Sequence, residues 1–493
     1  MSEQILELDP LRNVAPEKVT TIHIMGICGT AMAAIAGMLK EDGYTISGSD
    51  NHIYPPMSDF LNQIGVQVFS GYRAENLGHQ PDLVVVGNVI TKINPEAQAL
   101  AASRIPYLSM PQTLSRFYLS SRKSLVITGT HGKTTASSML ASALYDAAQD
   151  PTFMIGGILQ KFNTNYRIGD GPFFVLEGDE YDTAFFDKES KFLHYQPEIA
   201  VITSLEFDHA DIFDDLEAIK RSFRKFVALL PPHGLIIANF DDDNVKKVLK
   251  EAPCAIQSYG LEPNRDWQIT SIRPSPDATV FDLVHENKRV SDLKINFAGR
   301  HNCMNAAAVF AIMNHLGIAI PAIKKGLQGF SGIKRRQEIR GIVKGITVID
   351  DFAHHPTAVL ETLHALKHAH PQNRLIAVFE PRTNTSRRAI FQQAYGEAFD
   401  YADICVIKEP FASENDLDGN YFSAAKLADD ICMRGRKARA FNDTDEILHY
   451  LQETAIPGDV IAVLSNGGFD NIHERLLQAL SKRCNESDNG ITD

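Results

Sequence analysis

The sequence predicts an α/β protein of three domains: a Rossmann-like N-terminal domain, a central P-loop ATPase-like domain with a mixed sheet, and a Rossmann-like C-terminal domain. Three segments each begin with a β-strand, a glycine turn and a helix, the order typical of parallel α/β domains. The chain has 493 residues, which is too long for one hydrophobic core. We place the domains at residues 1–122, 123–332 and 333–493.

The N-terminal domain opens with a predicted strand over residues 19–26, then the turn GICGT and a helix that closes at Gly43. A second strand ends at Asp50, and VQVFS, PDLVVVGN and IPYLS are predicted strands before the helical PQTLSRFYLSS. The turn offers backbone N–H groups to a phosphate, and Asp50 could accept a hydrogen bond from a ribose or base. Since the glycines are spaced GxxG rather than GxGxxG, a nicotinamide site and a simple tight turn remain alternatives.

The central domain begins with a strand at residues 124–128 and a helix over TASSMLASALYDAAQ. Buried strands are predicted at 173–177, 199–205 and 235–239. Between residues 255 and 297, the segments AIQSYGL, WQITSIRP, ATVFDLVHE and KINFAG alternate like antiparallel strands, before a helix from about His301 to His315. These two groups of strands together predict a mixed sheet.

The segment GTHGKTT gives the strongest functional signal, because it follows a strand and opens a helix as a P-loop does. Its residues are Gly129, Thr130, His131, Gly132, Lys133, Thr134 and Thr135. Backbone N–H groups and the helix dipole would hold phosphates, Lys133 would reach the β- and γ-phosphates, and the Thr134 hydroxyl would complete the coordination of Mg²⁺. Two residues separate the glycines where the usual Walker pattern has four, so a plain glycine turn with a capping threonine is the alternative.

Two acidic segments follow predicted strands of the central domain. LEGDEYD contains Glu177, and LEFDHADIF contains His209. The carboxyl ends of parallel strands share one edge of a sheet, so a carboxylate and a histidine converging there could hold the metal of a metal–nucleotide complex. Both segments could instead be solvated loops, and other acids within them could equally be the ligands, since Mg²⁺ prefers oxygen to histidine nitrogen.

The C-terminal domain starts near Ile333 and repeats the strand–turn–helix order through ITVIDDFAHHP, RLIAVFEPR, DICVIKEP and DVIAVLSNGG. Lys334, Arg335 and Arg336 lie at its boundary, and Asp351 ends its first parallel strand. Such charges are often solvated spacers. The functional alternative is a hinge that brings Arg336 and Asp351 onto the nucleotide, where a guanidinium suits bidentate phosphate contact.

Composition restricts the partners. Lys and Arg total 48 against 61 Asp and Glu, a formal charge of −13, which disfavours nucleic acid and anionic lipid as partners. No apolar run approaches the ~18 residues of a spanning helix, and the N-terminus is acidic, so we expect no membrane partner. The six cysteines form no CxxC pair, which favours a reducing, cytoplasmic location; they are Cys28, Cys254, Cys303, Cys405, Cys432 and Cys484.

Taken in order, the motifs HIMGICGTAM, SGSD, GNVITKINPE, GTHGKTT, LEGDEYD, LEFDHADIF, GRHNCMNAAA, GIKRR and DDFAHHPTAV resemble the ATP-dependent Mur ligases of peptidoglycan synthesis, over nearly the whole chain. The resemblance implies a UDP-sugar on the first domain, ATP on the second and a peptide on the third. It implies that the UDP-sugar contacts Gly26, Cys28, Gly29, Thr30, Ser49, Asp50 and Asn88. It places Asn302 near adenine, Asn305 in the ATP site, Arg336 near phosphate and Asp351 near the ribose.

The stretches YPPMSDF, DEYDTAFFDKESKF, EFDHADIFDD, EPRTNT and LSNGGFDNIH resemble the Mur ligases that recycle cell-wall peptides. The implied reaction joins UDP-N-acetylmuramate to L-alanyl-γ-D-glutamyl-meso-diaminopimelate through an acyl phosphate, with Lys133, Glu177, His209 and Arg336 as catalytic residues and Thr134, Glu177 and His209 around Mg²⁺. The main alternative adds L-alanine instead. A nicotinamide-dependent oxidoreductase and a nucleotide switch that forms no amide are alternatives from other classes.

Peptide recognition is assigned to two motifs of the C-terminal domain. Arg382 could bind a peptide carboxylate bidentately, and the glycines of the second motif would let backbone N–H groups approach it; this motif is Ser465, Asn466, Gly467 and Gly468. Both motifs could also be ordinary turns at strand ends.

Some relatives carry a carbamylated lysine, but Lys220 and Lys225 miss the expected spacing, which Arg224 occupies, so we predict no carbamate.

Overall fold

The computed structural model describes residues 5–210, 212–275, 278–382, 386–410 and 421–482. The N-terminal sheet has the strand order β3-β2-β1-β4-β5, and all its pairs are parallel. Its strands are β1 (Thr21–Met25), β2 (Thr45–Asp50), β3 (Gln67–Ser70), β4 (Leu83–Val86) and β5 (Tyr107–Ser109). Its helices are α1 (Thr30–Glu41), α2 (Met57–Gln63), α3 (Pro95–Ala102) and α4 (Met110–Phe117).

The central unit contains a ten-stranded sheet and a separate two-stranded hairpin. Its strands are β6 (Lys123–Thr128), β7 (Thr152–Leu159), β8 (Thr164–Arg167), β9 (Phe173–Gly178), β10 (Asp182–Ala184), β11 (Asp187–Ser190), β12 (Ile199–Ile202), β13 (Leu235–Asn239), β14 (Ala255–Gly260), β15 (Trp267–Pro274), β16 (Thr279–His285) and β17 (Lys288–Ile295). Its helices are α5 (Lys133–Asp146), α6 (Leu216–Val227), α7 (Asp243–Val248), α8 (Arg300–His315) and α9 (Ile320–Gln328). The large sheet runs in the order β17-β16-β15-β14-β13-β12-β6-β9-β7-β8, while β10 pairs with β11.

The C-terminal sheet has the order β18-β19-β23-β20-β21-β22, in which the β18–β19 pair is antiparallel and the other pairs are parallel. Its strands are β18 (Glu338–Val343), β19 (Ile346–Asp351), β20 (Leu375–Phe379), β21 (Ile404–Lys408), β22 (Lys437–Phe441) and β23 (Val460–Leu464). Its helices are α10 (Pro356–Ala369), α11 (Gln392–Ala398), α12 (Ala424–Met433), α13 (Thr444–Thr454) and α14 (Ile472–Lys482).

The central sheet is mixed, as predicted, but one part of the prediction is wrong. β14, expected to be antiparallel, pairs in parallel with β13, and β15 begins in parallel with β14. Of the four segments predicted to be antiparallel, β15, β16 and β17 do form an antiparallel series, and β7 and β8 form a further antiparallel pair at the other edge of the sheet. β13 and β14 are parallel because the crossover helix α7 connects them, so the chain enters both strands from the same end of the sheet. Alternation shows that a strand is half-buried and does not show its direction.

The N-terminal and central units pack along α1. Gly37 of α1 faces Tyr166 of β8 so closely that a Cβ atom would overlap the ring. The Tyr166 hydroxyl continues past it and donates to the Glu41 carboxylate over 2.9 Å. On another side, Phe186 next to β11 meets Tyr107 of β5 edge to face, with ring centres 4.9 Å apart. These contacts fix the turn before α1 relative to the P-loop.

Among the helices that the structure describes, none combines the length and the apolar character that crossing a bilayer requires.

Candidate active site

The P-loop joins the carboxyl end of β6 to the N-terminus of α5, and its two glycines are required by geometry. Gly129 and Gly132 have φ angles of 127° and 84°, which favour glycine. A Cβ atom on Gly129 would overlap Thr203, and one on Gly132 would lie 2.7 Å from the Asn305 Oδ1. The loop therefore presents backbone N–H groups at the start of a helix, where an anion is stabilised.

Lys133 is paired with a carboxylate that the sequence analysis did not single out. Its Nζ lies 2.8 and 3.1 Å from the two carboxylate oxygens of Glu180, which is buried two residues beyond β9. The same carboxylate lies 3.1 Å from His209 Nε2. Burial alone would lower the pKa of Lys133, but the charges of Glu180 and Asp179 raise it, so the side chain stays cationic. Glu180 thus links Lys133 and His209, which the sequence placed on separate motifs.

Glu177 is held by the P-loop and by β7. The Thr134 hydroxyl donates to Glu177 Oε1 over 2.8 Å, and the Gly156 N–H donates to Glu177 Oε2 over 2.8 Å. Glu177 therefore lies against Thr134, while His209 lies against Glu180. Glu177 and His209 were expected to converge on one metal. They lie instead in two neighbouring pairs at one edge of the sheet, Glu177 with Thr134 and His209 with Glu180.

A cavity of about 560 Å³ lies between the P-loop and the C-terminal unit. Its walls bring together the residues predicted to bind ATP on distant segments: His131, Gly132, Thr135, Asn302, Asn305, Arg336 and Asp351. Tyr259, Phe297 and Phe330 add an apolar wall that suits a planar base. Both domains therefore contribute to one pocket.

Two charged side chains of this cavity come from the C-terminal unit. The Arg336 guanidinium lies over the Phe352 ring, 4.7 Å from its centre. Burial lowers the pKa of Arg336, and the nearby Asp351 partly offsets this. Asp351 accepts the N–H groups of Gln337 and Ala353 over 2.9 and 2.8 Å, and burial raises its pKa. Asn302 donates to the Ala298 carbonyl over 2.7 Å.

Glu206 connects the P-loop to the C-terminal unit, a contact that the sequence analysis did not predict although it left Glu206 open among the acids of LEFDHADIF. Its Oε2 lies 3.1 Å from His131 Nε2, and it accepts the Thr357 hydroxyl of α10 over 2.7 Å. His355 Nδ1 lies 3.6 Å from the same oxygen. Burial alone would raise the pKa of Glu206, but His131 and Thr357 hold it at about 2. Nothing in the spacing of these residues signals the contact, because it forms only when two domains meet.

The N-terminal turn is organised by Asp50. Its carboxylate accepts the Cys28 N–H over 2.9 Å and the His52 N–H over 3.0 Å, so it orders the turn from within. Burial, with Asp50 nearby, raises the pKa of the Cys28 thiol to about 11. Ser49 donates to the buried carboxylate of Glu96 over 2.9 Å. Gly29, Thr30 and Asn88 are exposed around the mouth of the turn.

The two predicted peptide motifs meet in space. The Arg382 side chain lies against Gly467, where a Cβ atom would overlap it. Ser465 donates to Glu380 over 2.7 Å and accepts the Gly467 N–H over 3.0 Å. Gly468 has open space around its Cα, and Asn466 has a buried Oδ1 without a hydrogen-bond partner among the described residues. The motif follows β23, next to the end of β19 that carries Asp351.

Three sequence profiles match: "Mur ligase family, catalytic domain" over residues 21–122, "Mur ligase middle domain" over 127–313 and "Mur ligase, glutamate ligase domain" over 335–467. Together they cover most of the chain.

The chain belongs to the Mur ligase family.

Among similar Mur ligases, the UDP-N-acetylmuramate–L-alanyl-γ-D-glutamyl-meso-2,6-diaminoheptandioate ligase of Escherichia coli strain K12 is 39% identical over 464 residues, covering 94% of this chain and 99% of that protein. A UDP-N-acetylmuramate–L-alanine ligase of Geobacter sp. strain M21 is 34% identical over 472 residues, covering 95% of this chain and 99% of that protein. A crystal structure of a murein peptide ligase from Psychrobacter arcticus is 35% identical, with a TM-score of 0.69, covering 94% of this chain and 99% of that one.

The fold of a UDP-N-acetylmuramate–alanine ligase from Thermotoga maritima is also similar, with a TM-score of 0.76 at 23% identity, covering 94% of this chain and 99% of that one.

The lysines considered for a carbamate are both near carboxylates in the present chain: Lys220 lies 3.9 Å from Glu217, and Lys225 pairs with Glu189 over 2.6 Å. Arg224 pairs with Glu217 over 2.7 Å. The absence of a carbamate stays a prediction, as do the ligand contacts of the individual site residues.

Proposed function

We propose that this Mur ligase joins UDP-N-acetylmuramate to L-alanyl-γ-D-glutamyl-meso-diaminopimelate, forming an amide while ATP is converted to ADP and phosphate. The observation that carries the proposal is the 39% and 38% identity, over 94% and 93% of the chain, to the Escherichia coli and Haemophilus influenzae ligases named for that reaction. The alanine ligases reach 34%. We propose that the enzyme recycles cell-wall peptides in the cytoplasm.

The first step activates the acid. A carboxylate and an amine form a salt in water, so the lactyl carboxylate of the muramyl group must first attack the γ-phosphorus of ATP. The bond to the β–γ bridging oxygen breaks, ADP leaves, and a mixed acyl phosphate forms. We assign to Lys133, the first residue of α5, the neutralisation of charge that builds up on the transferred phosphoryl group, and to the loop N–H groups the contacts with the other phosphates.

Mg²⁺ is the metal that this donor set fits. Thr134 offers a hydroxyl and Glu177 a carboxylate, the hard oxygen ligands that Mg²⁺ prefers, and the two lie 2.8 Å apart at the P-loop. Glu180 and His209 form the neighbouring pair. When bound, Mg²⁺ would neutralise phosphate charge next to these residues. In the chain itself, Glu180 keeps Lys133 and His209 in position.

The second step forms the amide. The neutral amine of the peptide's L-alanine attacks the acyl carbon, and the tetrahedral intermediate expels phosphate, which leaves as hydrogen phosphate carrying the proton that the amine loses. Water must be excluded because it would hydrolyse the acyl phosphate. The C-terminal unit covers the P-loop with Arg336 and with the Thr357–Glu206 contact, which places Arg336 at the nucleotide cavity. Arg382 and Ser465–Gly468 are our candidates for peptide binding.

An acceptor assay tests the proposal. Purified protein is given ATP, Mg²⁺ and UDP-N-acetylmuramate, and phosphate release is compared with the tripeptide, with L-alanine and with no acceptor. We expect rapid release and a UDP-muramyl tripeptide product only with the tripeptide. Faster turnover with L-alanine would assign the alanine-adding reaction. Slow hydrolysis that ignores both acceptors would favour a nucleotide switch, and hydride transfer would favour an oxidoreductase.

A further inference from the structure

Three donor side chains meet where the C-terminal unit touches the P-loop. His131 belongs to the P-loop, Glu206 lies beyond β12, and His355 is the residue that caps the N-terminus of α10. One ring nitrogen of each histidine and one carboxylate oxygen of Glu206 lie within 4.8 Å of one another. Over the described parts of the chain, this is the one group of three His, Cys, Asp or Glu side chains that converges so closely.

The distances within this cluster are close to those between the ligands of a tetrahedral metal ion. Glu206 Oε2 lies 3.1 Å from His131 Nε2 and 3.6 Å from His355 Nδ1. With bonds of about 2.0–2.1 Å, two ligands of a tetrahedral Zn²⁺ ion are about 3.3–3.4 Å apart. The two distances in the protein lie on either side of this value, so both donor pairs could bind one ion after small shifts.

The imidazole of His355 is poorly satisfied by the protein around it. The residue is 6% exposed, and its Nε2 is buried without a hydrogen-bond partner among the described residues. Its Nδ1 accepts the Thr357 N–H over 3.3 Å, which is long for a hydrogen bond. A buried ring with one weak contact and one unpartnered nitrogen is what a metal ion would satisfy.

The charge states of the donors suit a divalent cation. A carboxylate ligand must be ionised and an imidazole ligand must be neutral. Burial alone would raise the pKa of Glu206, but His131 and Thr357 hold it at about 2. Burial and the neighbouring His131 lower the pKa of His355 to about 4, so its ring is neutral near pH 7. The Thr357 hydroxyl also orients Glu206, as outer-shell partners do for metal ligands.

We propose that His131, Glu206 and His355 form a binding site for Zn²⁺ or a similar transition-metal cation. Two imidazoles and one carboxylate are a common donor set for Zn²⁺, with the fourth position left to water, whereas Mg²⁺ prefers oxygen ligands. The site therefore differs from the Thr134–Glu177 pair that we assign to Mg²⁺, and it does not depend on the ligation reaction. Because its donors come from both the central and the C-terminal unit, a bound ion would tie these units together beside the nucleotide cavity.

Calorimetric titration with ZnCl₂ tests this site. Full-length wild type, His355→Gln and His449→Gln are titrated in excess Mg²⁺, which fills sites made of oxygen ligands alone. His449 is the matched control, because it lies 3.2 Å from Glu453 on an exposed helix surface and belongs to no group of three donors among the described residues. We expect His355→Gln to bind Zn²⁺ at least about 10-fold more weakly than wild type, since it loses a ligand, and His449→Gln to bind it as wild type does.

Visible spectra with Co²⁺ in place of Zn²⁺ identify the ligands. We expect the bands of a four-coordinate nitrogen and oxygen site in wild type and their loss in His355→Gln. An intense thiolate charge-transfer band in their place would instead assign the metal to a cysteine, such as the exposed Cys432 or the half-buried Cys28.

Three results would overturn the inference: folded wild type that binds no Zn²⁺, equal binding by folded His355→Gln, or the thiolate band. If the circular dichroism spectrum shows His355→Gln to be unfolded, Glu206→Gln is measured in the same way and should also lose the site. Wild type that binds Zn²⁺ but releases no phosphate with the tripeptide would contradict the proposed function and leave the metal site standing.

Discussion

Glu180 decides how the P-loop lysine is held before substrates arrive. Its carboxylate contacts both Lys133 and His209 and is 2% exposed, so its charge is balanced by them rather than by water. Burial alone would raise the pKa of Glu180, but Lys133 and His209 lower it, which keeps the carboxylate ionised. A buried group of this kind is costly to alter, because its partners lose their balancing charge.

Removing the lysine charge tests the phosphate contact. We expect Lys133→Met to lower kcat at least about 100-fold, because charge on the transferred phosphoryl group would no longer be neutralised. The measurement is phosphate release with saturating substrates, with circular dichroism to verify folding. Lys123→Met is the control, since Lys123 begins β6 at the end remote from the P-loop and pairs there with Glu198. Near-normal turnover of Lys133→Met would refute the assigned contact.

Glu180→Gln keeps the shape of the side chain and removes its charge. We expect kcat to fall by about 10- to 100-fold and the melting temperature to fall by several degrees, because Lys133 and His209 lose a shared partner. Glu189→Gln, which breaks an exposed pair with Lys225, should change neither quantity. A Glu180→Gln enzyme with wild-type kcat would show that Glu180 has no positioning role.

At the residue scale, the site residues that could be predicted from the sequence are those whose type and spacing form a local motif. Gly129, Lys133 and Thr134 were identified because strand, glycine, lysine and hydroxyl follow one another in the chain. Glu180 was only one of several acids left open in LEGDEYD, since no local pattern says which carboxylate turns toward Lys133. Glu206 was likewise one of the acids left open in LEFDHADIF, and its contact with the C-terminal unit was not predicted, because its partner Thr357 lies 151 residues away.

At the scale of elements, apolar runs predicted the buried strands well. The run LIIAN was predicted as a strand at 235–239 and forms β13 over Leu235–Asn239. The β10–β11 hairpin was not predicted, because its strands are only three and four residues long. The direction of β14 was predicted wrongly, since direction depends on the crossover helix rather than on the strand. Short elements and strand direction thus need tertiary information.

The contact between α8 and α10 should be sensitive to pH. Arg300 of α8 binds both carboxylate oxygens of Glu361 on α10, which joins the central and C-terminal units. Burial alone would raise the pKa of Glu361, but His301 and Arg300 lower it from 4.5 to about 2. Because the folded pKa is depressed, this stabilisation is complete above pH 4.5 and is lost as the pH falls toward 2.

Glu361→Gln tests that contact by calorimetry at several pH values. Arg300 is about half exposed, so solvent reduces the stabilisation to an order of 1 kcal/mol. We expect the variant to melt a few degrees below wild type at pH 7 and the difference to narrow below pH 4.5. Asp430→Asn, which breaks a helix-surface pair with Lys426, should show no such difference. A gap that persists undiminished at acid pH would contradict the assignment.

At the scale of the whole molecule, the nucleotide cavity belongs to two domains. The P-loop forms one side, and Arg336 and Asp351 of the C-terminal unit form another. The three-domain order was predictable from the repeated strand–turn–helix pattern, and so was the grouping of motifs at strand ends. The residues alone left the meeting of the central and C-terminal domains as one of two alternatives, a hinge that brings Arg336 and Asp351 onto the nucleotide or a solvated spacer, because a sequence does not show how its domains pack. The resemblance to the family favoured the first alternative.

Nucleotide binding should therefore stabilise both units together. We expect a non-hydrolysable ATP analogue with Mg²⁺ to raise the melting temperature of wild type. At an analogue concentration of 100 times Kd, the free energy of unfolding should increase by about 2.7 kcal/mol. Arg336→Ala should reduce that shift, because it removes a cation from the cavity. Arg340→Ala is the control, since Arg340 pairs with Asp350 and Glu474 instead. An equal shift in wild type and Arg336→Ala would argue against the phosphate contact.

The shared cavity also has a consequence for protein engineering. A chimera that exchanges the C-terminal unit between relatives carries part of the cavity that we assign to ATP with it, because Arg336 and Asp351 travel with that unit. A junction placed after Asp351 would leave both residues with the host and would transfer the loops that we assign to the peptide together with later cavity residues such as Thr357 and Glu361. Two chimeras that differ in this junction alone would therefore separate acceptor choice from phosphoryl transfer.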